Sequence, residues 1–184
     1  MRLAKLFSVL LILLLVCWRV VGCSRTEADI RFDQRKWLFG AILKADHFVL
    51  FEGLPHQHFE SEQLDEEKRT KETVTLHDFS FYRAPLDIPA EDWEKLKRLL
   101  GNASSFQPSP GIPKSCGGFH PDYLAEWHVG DNTYRFLICF GCHEVLVFGP
   151  EDKGLHCDIR RSAYKQLDGL LKRHRKNRPQ MLNQ

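Results

Sequence analysis

Only two methionines, Met1 and Met181, occur in 184 residues, so the chain is almost without thioether side chains. A haem iron held by histidine and methionine has nearly no candidate sulfur here. Long apolar runs are equally scarce. The longest, Leu6 to Cys17, is twelve residues, and a membrane-spanning helix needs about 20. There is no internal repeat and no second compositional regime, which leaves one domain rather than an array. A dominant charge sign is missing as well. The 26 Lys and Arg of the chain include Arg2, Lys5 and Arg19 near its start, where no acid occurs. Without residues 1–22, 23 basic side chains face 24 acidic ones, and the global electrostatic support for nucleic-acid binding disappears.

What is present at the start is an export pattern. Arg2 and Lys5, the apolar run, and Val20-Val21-Gly22-Cys23 follow the charged, apolar and small-residue order of a signal. The last four residues also resemble a bacterial lipobox, which implies cleavage before Cys23 and a diacylglyceryl group on its sulfur. Arg19 intrudes on that pattern, so cleavage after Gly22 without lipid, or retention as a short anchor, are the alternatives. The expected organisation is an export signal over 1–22, then a short tether and a single domain within 23–184. The expected location is outside the cytoplasm, as a membrane-attached lipoprotein or a secreted or periplasmic protein.

The remainder is long enough for one domain with a core. Helical spacing of Trp37, Leu38, Ala41 and Ile42 predicts a first helix over about 31–44, and His47 to Phe51 reads as a strand. The charge-rich segment Gln63 to Lys71 and the Pro- and Gly-rich segment Gln107 to Gly118 read as loops. Thr73 to Tyr82 reads as strand, and Ala90 to Leu100 as the clearest helix, with Trp93, Leu96, Leu99 and Leu100 in one stripe. Tyr123 to Val129 and Thr133 to Cys139 flank the turn signal Gly130-Asp131-Asn132; Val145 to Phe148 and Leu155 to Ile159 continue a meander. Asp158 is a candidate cap for a last helix burying Ala163, Tyr164, Leu167, Leu170 and Leu171. The expected class is α+β: an antiparallel β-meander covered by N-terminal, central and C-terminal helices. Trp93 and Trp127 are expected as core anchors. The basic run Lys172 to Lys176 with Arg178 reads as a solvated helix end complementing its dipole, with contact to an anionic membrane or a polyanion as the alternative.

Three phrases carry a resemblance: Leu50-Phe51-Glu52-Gly53-Leu54-Pro55-His56, Ser115 to Tyr123, and Ile138-Cys139-Phe140-Gly141-Cys142-His143-Glu144-Val145. Together they resemble an uncharacterised family of predicted exported proteins and lipoproteins of planctomycete-type bacteria. The resemblance implies export and a single domain, and it brings no activity with it.

The last of these phrases spells C-x-x-C-H inside β-structure, and it admits four chemistries. As a c-type haem site, Cys139 and Cys142 would form thioethers and His143 would ligate iron. As a zinc site, Cys116 and His120 would join Cys139 and Cys142 in a tetrahedral set, provided Phe140-Gly141 turns the chain. In an unbroken strand, side chains three apart point to opposite faces and cannot share a metal. As structural cysteines, Cys116, Cys139, Cys142 and Cys157 permit three pairings, with Cys116 preferred to Cys139 or Cys142. A thiol-redox pair is the fourth reading, and it lacks an evident helix start to stabilise a thiolate.

His120, Asp122, His128, His143 and Glu144 lie close in sequence and are candidates to converge on a catalytic centre, although Glu144 also fits an outward strand position. His56-Gln57-His58 fits an ordinary polar loop after Gly53-Leu54-Pro55, with metal binding as the alternative. Asn102-Ala103-Ser104 is formally a glycosylation sequon. The expectation that follows is an exported, membrane-anchored, non-catalytic domain with a cysteine-rich structural meander. It needs no cofactor, its partners are the membrane and an unknown envelope protein, and nucleic acid is not expected. The haem carrier and the zinc module are the alternatives.

Overall fold

The computed structural model describes residues 25–151 and 153–178. The export segment, Cys23 and most of the expected tether lie outside the described residues.

The first helix is broken where the sequence reads as continuous. α1 spans Glu27–Arg35, α2 spans Trp37–Ala41, and a 3-10 turn covers Ile42–Lys44. Thr26 begins α1 with a reciprocal cap, its hydroxyl accepting from the Asp29 N–H while Asp29 accepts from the Thr26 N–H. β1 follows at His47–Glu52, and α3 at Ser61–Thr70 occupies a segment expected to be a loop. That segment is built almost entirely of good helix formers but has a single aliphatic residue, Leu64, so no apolar stripe announces it. Tertiary contact fixes it: the Tyr82 hydroxyl donates to buried Glu67 over 2.9 Å.

The stretch expected as one strand is a hairpin, β2 at Thr73–Leu76 and β3 at Phe79–Tyr82. His77 and Asp78 turn it with φ of 50° and 67°, the left-handed pair of a two-residue hairpin loop. α4 (Ala90–Leu100) matches the expectation, as do β5 (Tyr123–Val129), β6 (Asn132–Cys139), β7 (Glu144–Phe148), β8 (Leu155–Ile159) and α5 (Arg161–Leu171). A short β4, Phe106–Pro108, begins the Pro- and Gly-rich segment.

The fold is α+β. Its main sheet has the order β1-β5-β6-β7-β8-β4, with every pairing antiparallel, so the expected meander β5 to β8 forms the centre. Period-two alternation sends the strand residues to two different covers. Trp127, Phe136, Ile138, Val145 and Cys157 face helices α2, α4 and α5, which contribute Phe39, Leu96, Leu100, Leu167 and Leu171 to the larger core. Phe39 stacks on Phe106 with ring centroids 4.6 Å apart. Each such buried aromatic contributes about 2–3 kcal/mol. The opposite face is covered by the β2–β3 hairpin rather than by helix, where Phe81 packs on Leu124 and Leu137. Trp127 is fully buried and Trp93 partly so, their rings 6.4 Å apart.

Asp158 does not cap α5. It sits in β8 beside Lys114, while the cap position falls on Arg160 and receives no side-chain hydrogen bond.

Candidate functional site: a cavity beneath a disulfide-tied loop

Phe140 and Gly141 do turn the chain. β6 ends at Cys139, β7 starts at its pairing partner Glu144, and the turn between them closes with His143 at φ 57°. Asp122 secures this turn, accepting from the Phe140 N–H at 2.7 Å. The turn brings Cys142 to the returning loop, where it is disulfide-bonded to Cys116 with Cα atoms 5.5 Å apart. One strand over, the Gly53 N–H donates to the Asp122 carbonyl over 2.7 Å, and its bare Cα lies against the Pro121 carbonyl, a place no Cβ could occupy.

Beneath the tied loop lies a cavity of about 530 Å³ whose walls include His56, Phe59, Lys114, His120, Cys139 and Arg178. Its charged groups are spent on one another. Arg178, 12% exposed, reaches Asp122 at 2.7 Å and also pairs with Glu60. Burial works to lower the pKa of Arg178, but the Glu60 hydrogen bond and the Asp122 charge outweigh it and raise it. The Glu60 carboxyl behaves conversely. Burial alone would raise it, yet the His56 N–H at 2.6 Å and the Arg178 guanidinium hold it below its ordinary value. Lys114 is held 2.8 Å from Glu144 and 3.0 Å from Asp158. Burial opposes its charge and those two carboxylates prevail, raising its pKa.

The imidazoles fare differently. His120 and His56 stand with rings 4.6 Å apart. Burial, reinforced by the Arg178 charge, pushes His120 down to about 4 and also lowers His56, so both rings are neutral bases at neutral pH. The Cys139 thiol is 2% exposed. Burial raises its pKa although its sulfur accepts backbone N–H groups from His120 and Cys142, the latter at 3.2 Å.

Behind the cavity residues 176–178 are locked by a buried carboxylate. Glu52, 1% exposed, accepts from the backbone N–H groups of Lys176 at 3.1 Å, Asn177 at 2.7 Å and Arg178 at 3.0 Å. The basic run is therefore only in part the solvated helix end that its composition suggests. Lys172 pairs locally with Asp168, whereas Arg173 and His174 reach buried Asp92 at 3.3 and 2.9 Å and the following backbone wraps Glu52.

The remaining candidates scatter. His120 and Asp122 share the cavity, but His128 lies at the other end of β5, paired with Glu126 at 3.0 Å. His143 is exposed and packs on Tyr164, ring to ring at 4.0 Å. Glu144 is buried, not outward, and binds Lys114 and His156. Cys157 faces the main core opposite Val145, where burial pushes its thiol up to about 12. Cys139 and Cys157 are both free. With the Cys142 sulfur bonded to Cys116, neither the thioether pair nor the three-thiolate set is complete in this oxidised state. Among the described residues, no three His, Cys, Asp or Glu side chains are arranged to hold a metal ion, and no helix is long and apolar enough to cross a membrane.

Sequence reasoning missed Glu52, Glu60, Lys114 and Arg178, and it read His56 as an ordinary loop residue. Arg178 and Glu60 are 118 positions apart, and no local spacing signals such a pair.

Fold and site together define a disulfide-tied α+β domain whose cavity is lined by ion-paired side chains. Comparison with protein-family models, with curated proteins and with solved structures found no match to the chain.

Proposed function

We propose that this is an exported, membrane-attached, non-catalytic domain, anchored through lipid on Cys23, that binds a partner in the cell envelope. The Cys116–Cys142 bond carries this reading. Such bonds persist in oxidising compartments and are rare in the cytosol, in keeping with the charged, apolar and small-residue order of residues 1–23. The cavity chemistry supports the non-catalytic part: Glu60 and Asp122 are both held in ion pairs by Arg178, and the buried Cys139 thiol is disfavoured as a thiolate. The rim of the tied loop is the natural contact surface, because the cross-link holds an irregular segment rigid and Phe59 and Ile112 are each 68% exposed.

A zinc reading keeps one supporting observation. The turn at Phe140-Gly141 brings Cys116, Cys139 and Cys142 close to His120, so reduction of the bond would restore the thiolate count. Haem attachment through Cys139, Cys142 and His143 would likewise need the Cys142 sulfur released.

Fractionation of expressing cells, with intact-mass analysis of the membrane fraction and thiol counting, tests the reading. Expected are acyl chains on an N-terminal Cys23, Cys116 and Cys142 blocked until reductant is added, and Cys139 and Cys157 reactive only after denaturation. A cytosolic chain with Cys23 unmodified and every thiol free would overturn it. Zinc released in proportion to freed thiols would favour the alternative.

A further inference from the structure

Two of the helices that cover the core, α4 and α5, leave a groove of about 700 Å³ between them, on a part of the molecule separate from the tied loop. Its lining carries Lys95, Arg98, Lys165 and Arg173, and no carboxylate. Two of these cations are already engaged. Lys95 and Arg173 both reach Asp92, at 3.1 and 3.3 Å. Arg98 and Lys165, one from each helix, have no carboxylate partner among the described residues.

A second feature points into the same space. Ser105 lines the groove and is 7% exposed, yet its hydroxyl has no hydrogen-bond partner among the described residues. That hydroxyl is not shut off from solvent: it opens onto the groove and is available to a group bound there. Its neighbour Ser104 differs, because its hydroxyl donates to Asn102 Oδ1 over 2.8 Å. Ser162 and Ala163 in the first turn of α5 also line the groove, and that helix has no side-chain cap. The backbone N–H groups there have no partner within the helix.

From these observations we infer that the α4–α5 groove binds a phosphoryl-type anion, with Arg98 and Lys165 supplying charge and Ser105 a hydrogen bond. The guanidinium fork of Arg98 suits two oxygens of one tetrahedral anion, and the Lys165 ammonium a third. The anion is either a free phosphate ester or the headgroup of an anionic lipid, and both present this chemistry.

Titration of the full chain with inorganic phosphate and with glycerol 3-phosphate, followed by backbone amide NMR, reads the site. Saturable shifts at residues 104–105 and 161–163 are expected, weakened roughly tenfold or more in the Arg98→Gln, Lys165→Gln double variant. Lys165→Arg should retain binding, and Lys44→Gln with Lys68→Gln, outside the groove, should leave it unchanged. Sedimentation with phosphatidylcholine vesicles, with and without phosphatidylglycerol, identifies the source. Greater retention on phosphatidylglycerol that is lost in the double variant assigns a lipid headgroup; phosphate shifts without that difference assign a soluble ester. A lipid on Cys23 would hold the chain on both vesicles alike, so this outcome is separable from the anchoring reading. No saturable shift with either phosphate and no vesicle difference overturns the inference, as does equal binding by the double variant.

Discussion

The cavity under the tied loop and the groove between α4 and α5 are both lined by cations, and they differ in where the matching carboxylates lie. In the cavity, Arg178 and Lys114 each meet two carboxylates that strands and loops deliver to them. In the groove, Asp92 serves Lys95 and Arg173 from below, and Arg98 and Lys165 stay uncompensated. A buried cation must be paired to be tolerated, whereas a solvated one can wait for a partner. The first arrangement is thus built for stability and the second for contact.

The sharpest way to break this contrast is to remove Arg178. Arg178→Ala should lower unfolding free energy by about 3–4 kcal/mol, because buried Glu60 and half-buried Asp122 would be left without their cation. Urea denaturation measures it, and a loss near zero would mean the tail is not a structural clamp. Next in size is the cross-link. Replacing Cys116 and Cys142 together by serine should cost about 3 kcal/mol, from the added freedom of the unfolded chain. Adding reductant to the native sequence should reproduce that shift.

Lys114→Met is expected to cost about 2 kcal/mol, less than Arg178 because Lys114 keeps more contact with water. The pH dependence of stability separates the regions again. His120 titrates at about 4 when folded against 6.5 otherwise, so between these values the unfolded chain binds more protons. Stability should therefore fall as pH drops from 6.5 towards 4, with Glu60 adding a further loss as pH falls below its ordinary 4.5. His120→Gln should flatten the first part of that decline in denaturation series run at successive pH values. The smallest effect belongs to the groove: Arg98→Ala should change stability by no more than about 0.5 kcal/mol, as for an unpaired surface side chain. A larger loss would show that Arg98 is structural and would remove the contrast.

Legibility in the sequence followed locality. Strands β5 to β8 and helices α4 and α5 were readable because alternation, apolar stripes and turn residues each act within a few positions. α3 was not, since it has no apolar stripe and is tied to the fold by side chains distant in sequence, such as Tyr82 on Glu67. Cys116 was expected to pair with Cys139 or Cys142, and the choice fell to Cys142 because the turn at Phe140-Gly141 carries Cys142 to the loop and leaves Cys139 buried behind it. The candidate convergence of His128 and His143 with His120, an alternative to the non-catalytic reading, fails because antiparallel pairing places His128 at the far end of its strand and His143 packs on Tyr164.

By itself, then, the sequence determined the α+β class, the central meander, the helical cover and the cysteines that matter, all of which arise from residue spacing along the chain. Only the tertiary structure decided which cysteines join, that Glu52 captures residues 176–178, and which cations are paired. Those outcomes depend on groups many positions apart meeting in a low-dielectric interior, where an unpaired charge is costly and the pairing is set by the packing of whole elements.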